Sequence, residues 1–73
     1  MQRDFKLLDT IALIEDITDK NLKIGNVGVI VEILDDSTYL VEFSGKNGES
    51  LDFIELKEHQ MLKLIYEVQH EFA

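Results

Sequence analysis

The side chains in this sequence that could do chemistry are mostly carboxylates: fifteen Asp and Glu stand against seven Lys and Arg, with two His and no Cys. Paired carboxylates act as general acid and base only where a pocket pushes their pKa values apart. Asp35-Asp36 precedes Ser37 in a stretch with turn chemistry and serves most simply as a turn. Glu49, Asp52, Glu55 and Glu58 recur every third residue. On a strand that spacing alternates between faces and forms no single cluster. Glu15-Asp16 with Asp19 surrounds a polar loop, but a calcium loop needs several oxygen ligands at fixed intervals and a central glycine.

Other reactive groups are sparser still. His59 and His70 are too widely spaced for a zinc pair of the i, i+4 kind. His59, between Glu58 and Gln60, reads as a surface or capping residue. Ser37, Ser44 and Ser50 flank turns and none lies in a Gly-x-Ser-x-Gly setting. Gly25-Asn26-Val27-Gly28 opens a run of β-branched residues, with no lysine following, so it is a tight turn and not a phosphate loop. The residues therefore predict no enzyme, no cofactor and no metal.

The elements that must position these carboxylates are strands. Thr10 to about Glu15 alternates as a strand, although Leu7, Leu8, Ile11 and Ile14 also fit helical spacing. The polar segment Asp16–Asn26 reads as a long loop anchored by Ile17, Leu22 and Ile24. Val27–Leu34 is the clearest strand, rich in side chains with stiff χ1. After the break at Asp35-Asp36-Ser37, Thr38–Phe43 forms the second arm of a hairpin, with Tyr39, Val41 and Phe43 on one face.

Asn47-Gly48 within Ser44–Gly48 signals a type I′ turn. Glu49–Leu56 returns as a strand with Leu51 and Phe53 opposed to Asp52. Lys57–Gln60 reads as one helical or 3-10 turn, and Met61–Leu64 as a short last strand. Tyr39, Phe43 and Phe53 fall at core-like positions among acidic neighbours, unlike the exposed aromatics of RNA-binding sheets. The fold class is thus all-β: a small SH3-like barrel of about five antiparallel strands, with a 3-10 or helical turn before the last. We assign residues 1–64 to the barrel and residues 65–73 to a tail. Barrel closure would remove most exposed edges.

Seventy-three residues make one domain. A chain of this size buries only about 60% of its unfolded surface. Most apolar side chains are needed for the core, so the chain can hardly enclose a cleft of the ~300 Å³ typical of small-molecule sites. The absence of cysteine excludes disulfides and thiolate metal sites and favours a reducing cytoplasm. No apolar run reaches a membrane span, and the first residues do not resemble a signal peptide. The net charge of −8 opposes nucleic acid and anionic lipid, and would attract a basic partner.

LLDTIALIED, LKIGNVGVIVEILDDSTYLVEFSGKNG and ELKEHQMLKL together resemble a small bacterial family, domain of unknown function 4926. The resemblance runs from about Leu7 to Leu64. Its most specific pieces are Leu8-Asp9-Thr10, Gly25-x-Val27-Gly28-x-Ile30-Val31-Glu32 and Tyr39-Leu40-Val41-Glu42-Phe43. It implies an SH3-like barrel with no assigned activity. It also implies small bacterial proteins that can lie beside toxin or nuclease partners, hence an antitoxin or immunity role. The tail after Leu64 departs from the shared pattern. Gly25-x-x-Gly28-x-Ile30 is also similar to the KOW motif of transcription and ribosomal proteins, another SH3-like class.

The leading expectation is a non-catalytic, acidic protein-interaction module that masks a basic partner. Its contact residues are expected at Asp35, Asp36, Glu49, Asp52 and Glu55, with Glu15, Asp16 and Asp19 in second place. The alternatives are a KOW-like nucleic-acid-associated barrel and a structural subunit assembling through its C-terminal tail.

Overall fold

The computed structural model describes residues 5–44 and 51–65. Five strands, β1 (Thr10–Leu13), β2 (Val27–Asp35), β3 (Thr38–Ser44), β4 (Leu51–Lys57) and β5 (Met61–Lys63), form one antiparallel sheet in the order β4-β3-β2-β1-β5. This is the mainly β, SH3-like arrangement read from the sequence. A 3-10 turn over Glu58–Gln60 leads directly from β4 into β5, as expected, and a second one over Thr18–Lys20 lies in the long loop. The Asn47-Gly48 turn and the tail from Tyr66 onward lie outside the described residues.

β2 is the longest strand because it serves two neighbours. Its start pairs with β1, through Ile11 opposite Gly28, and its remainder pairs with β3. The register with β3 shifts between Ile30 and Glu32 and again between Ile33 and Asp35. Such irregularities bend and twist a strand, so the sheet curls and gathers one face inward. Glycine is required at position 28 for the same reason: a Cβ there would stand 2.9 Å from the Phe43 ring and 2.7 Å from Val41 Cγ1.

The enclosed face carries the core. Ile30, Val41 and Ile54 lie in one cross-strand row, and Tyr39 and Leu56 in the next. Ile11, Leu13, Leu22, Phe43 and Met61 complete the buried cluster, with Phe5 and Ile17 packed against it. Burying these side chains is worth about 1.5–3 kcal/mol each, the main favourable contribution in so small a chain. Tyr39 and Phe43 are buried as the alternation predicts.

Three expectations are corrected. Phe53, read as a core aromatic, is 53% exposed. The β3–β4 register sets Val41 opposite Ile54, so Phe53 shares the outward face with its partner Glu42. Ile54 and Leu56, not Phe53, point inward from β4.

Ile24, read as a loop anchor, is 62% exposed. Ile17 and Leu22 bridge each other and occupy the inward positions of the loop. Ile24 lies beyond that bridge, with its backbone N–H held by the Asp16 carboxylate at 2.8 Å. Finally, among the described residues no hydrogen bonds close the barrel, and β4 and β5 are the two ends of the ladder.

Candidate functional site

An open groove lies between the long loop and β4. The first 3-10 turn and its approach place Ile17, Asp19 and Lys20 on one wall. Phe53, Ile54 and Glu55 of β4 make the other, and Gln60 closes one end. The groove has a volume of about 410 Å³ and is open to solvent. It is not enclosed, so it leaves standing the expectation that so short a chain can hardly enclose a small-molecule cleft. The groove arises because, among the described residues, the long loop stands beside β4 without pairing to it.

The loop holds this position through its own hydrogen bonds. Its two arms meet at the Ile17–Leu22 bridge, where each backbone N–H donates to the other residue's carbonyl. Asn21 turns the chain with φ 59°, a left-handed conformation that Asn tolerates better than most residues. Asp16 and Asn26 then use their side-chain oxygens to accept the backbone N–H groups of Ile24 and Lys23. A smaller concavity of about 150 Å³ lies within the loop, between Asp16, Thr18, Asn21, Leu22 and Lys23.

Gln60 connects the loop's entrance to the second 3-10 turn. Its Nε2 donates to Glu15 Oε2 at 2.9 Å, while its Oε1 accepts the Lys57 N–H at 2.8 Å. Asp19 and Glu55 therefore both line the groove, and Glu15 stands next to it through Gln60. Glu55 belongs to the first rank of contact residues expected from the sequence and Asp19 and Glu15 to the second, so members of both groups lie at or beside the groove. Phe53, which the sequence reading had assigned to the core, is the large apolar side chain of this site. The signal that could have revealed it is the competing alternation of Ile54 and Leu56 in the same strand.

The remaining predicted residues are arranged differently. Asp35 and Asp36 lie at the tip of the β2–β3 hairpin, both exposed. Asp35 Oδ1 accepts the Ser37 N–H at 2.9 Å. That bond chiefly holds the Asp35 carboxyl below its ordinary pKa, followed by the Thr38 hydroxyl and, more weakly, the Lys57 ammonium. Lys57 Nζ itself donates to Thr38 Oγ1 at 2.7 Å. Asp35 is thus a turn residue already engaged with its own hairpin, and Asp36 extends the acidic tip beside it.

Asp16 is similarly engaged with the Ile24 N–H. Asp52 is exposed near the start of β4, opposite Phe43. Glu49 and His70 lie outside the described residues, and His59 is an exposed member of the second 3-10 turn. Among the described residues no three His, Asp or Glu side chains converge in a way that could hold a metal ion. No helix among them is long and apolar enough to cross a membrane.

The segments with the most distinctive sequence chiefly serve the fold. Asp9 Oδ2 accepts the Lys6 N–H at 2.8 Å and lies 3.3 Å from the Lys63 ammonium, which fixes the entry to β1. Gly25 takes φ 92° in the turn before β2, Gly28 admits Phe43 and Val41, and Tyr39, Val41 and Phe43 fill the core. No curated protein and no solved structure matches the chain. A family model matches residues 7–63, almost the whole described structure including every strand and both 3-10 turns. The chain belongs to the family described as domain of unknown function (DUF4926).

Proposed function

We propose that this protein is a non-catalytic interaction module whose acidic groove docks a basic protein, masking that partner's cationic surface in the manner of an antitoxin or immunity protein. The observation that supports the reading is the placement of Asp19 and Glu55 beside the half-exposed Phe53 on one open groove. A large aromatic ring supplies contact area at little entropic cost, and carboxylates on the rim give direction and speed to association. The net charge of −8 extends that attraction over the whole molecule. A reducing cytoplasm is the setting proposed for it, consistent with the absence of cysteine.

The test is capture on the immobilised protein, followed by elution with salt. The partner should be a basic protein whose association rate falls as ionic strength rises. The double variant Asp19→Lys with Glu55→Lys should lose the partner while keeping its β-rich circular dichroism. Retention of the partner by that variant, or association indifferent to salt, would exclude the acidic groove as the docking surface.

A further inference from the structure

We infer that the groove receives an extended, basic segment of the partner, which adds to the outer edge of β4 as a further strand. The inference rests on the proposed reading of the groove as an acidic docking surface and specifies how docking occurs.

The lining of the groove locates it on a strand edge. Phe53, Ile54 and Glu55 are consecutive in β4 and all three line it. Successive side chains of a strand point to opposite faces, so a groove bounded by three in a row runs along the strand's side. Among the described residues β4 is the last strand of the ladder on that side. In an antiparallel pair about half of a strand's backbone groups point away from its neighbour, and along a terminal strand these form a template for another chain.

β4 also lacks several usual defences of an edge. Native edges are commonly kept short, bulged or interrupted by proline. β4 has seven residues, Leu51–Lys57, paired with β3 in an unbroken register, and the chain contains no proline. The opposite edge, β5, has only three residues. The long loop that covers the inward side of β4 leaves the groove between itself and the strand.

Charge selects the occupant. Asp19 stands on the loop wall and Glu55 on the strand wall, with Lys20 the single cation among the groove's lining residues. A second copy of this chain would bring another −8 to the contact, so the fitting occupant is a basic chain and not a protomer of the same protein. Strand addition uses main-chain bonds for affinity and alternate side chains for specificity. A segment alternating basic with apolar residues would therefore meet the carboxylates with one set of side chains and Phe53 with the other.

The experiment uses the full chain, isotopically labelled, and two short capped peptides of alternating lysine and valine. One is unmodified. In the other, alternate backbone nitrogens are methylated, which removes strand pairing without changing the charge. The unmodified peptide should shift the amide resonances of residues 52–56 and of Ile17–Lys20, and bind about tenfold more tightly than its methylated twin, the loss expected for one or two backbone hydrogen bonds. Glu55→Lys, at an exposed position, should weaken it about fivefold, as for reversal of a rim charge.

Equal binding of both peptides at the groove would overturn strand addition and leave the acidic docking surface standing. Shifts confined to β5 or to the hairpin tip at Asp35–Ser37 would overturn the groove as the site. Absence of binding by either peptide would overturn both readings.

Discussion

Gln60 Nε2 donates to Glu15 Oε2 at 2.9 Å across 45 residues of sequence. This contact joins the beginning of the long loop to the turn between β4 and β5, and so sets one end of the groove. The Gln60 side chain also accepts from the Lys57 backbone, so a single residue orders the turn and tethers the loop. Gln60→Ala should cost roughly 0.5–1.5 kcal/mol per lost bond, at the low end because both sites are exposed. It should also increase hydrogen exchange at Ile17 and Leu22. Exchange in the loop identical to that of the parent protein would show that Gln60 does not tether it.

Gly28 and Phe43 give a sharper test of the fold. A methyl group at position 28 would meet the Phe43 ring, Val41 Cγ1 and the Glu42 carbonyl, two side chains and one backbone atom, all within 2.9 Å. Gly28→Ala should destabilise the protein by about 1–3 kcal/mol through overpacking. Chemical denaturation measures it. The double variant Gly28→Ala with Phe43→Leu should recover part of the loss if the ring is the obstacle.

Leu8 adopts φ 72° and is exposed, with its N–H donating to the Ile30 carbonyl. A left-handed conformation at a residue with a side chain costs of order 1–3 kcal/mol. Leu8→Gly removes that strain at little cost in burial, so stability should rise by several tenths to about 1 kcal/mol. A fall in the thermal midpoint would show that the exposed Leu8 side chain contributes packing that offsets its backbone strain.

Asp35 predicts an acid-side dependence of stability. Its folded pKa is depressed, chiefly by the Ser37 N–H. A depressed carboxylate contributes stability that is present above its unfolded pKa and is lost as pH falls through the folded value. The stability difference between the parent protein and Asp35→Asn should therefore be constant near neutrality and shrink as pH drops below about 4. Urea denaturation across that range measures it. A difference that does not change with pH would remove the charge of Asp35 as a contributor.

Phe53 separates binding from folding. It is half exposed and contributes little to the core. Phe53→Ser should change stability by less than about 0.5 kcal/mol, as for most surface substitutions. The same change should reduce capture of the basic partner about tenfold or more, as for an aromatic anchor. Loss of stability with capture intact would return Phe53 to a structural role.

The succession of strands along the chain, the hairpin at Asp35–Ser37 and the 3-10 turn before β5 were legible in the residues. Each depends on local chemistry: β-branched alternation in Val27–Leu34, turn formers at Asp35-Asp36-Ser37, and the polar interruption at Lys57–Gln60. The acidic balance of the chain was equally plain, because charge needs no fold to be counted. Which face Phe53 takes was not legible, since β4 carries two interleaved apolar sets and a shift of one residue exchanges them. Only pairing with β3, which sets Ile54 against the buried Val41, resolved that choice.

The placement of the long loop was likewise a tertiary matter. Ile17, Leu22 and Ile24 are alike in the sequence, yet the Ile17–Leu22 bridge and the Asp16 carboxylate turned the first two inward and left Ile24 outside. The sequence by itself determined an acidic, five-stranded β-fold. The tertiary structure decided that, among the described residues, the sheet stays open beside β4, and so which carboxylates line one groove: whether residues as distant as Asp19 and Glu55 share a surface depends on how the chain closes on itself, a quantity no local pattern carries.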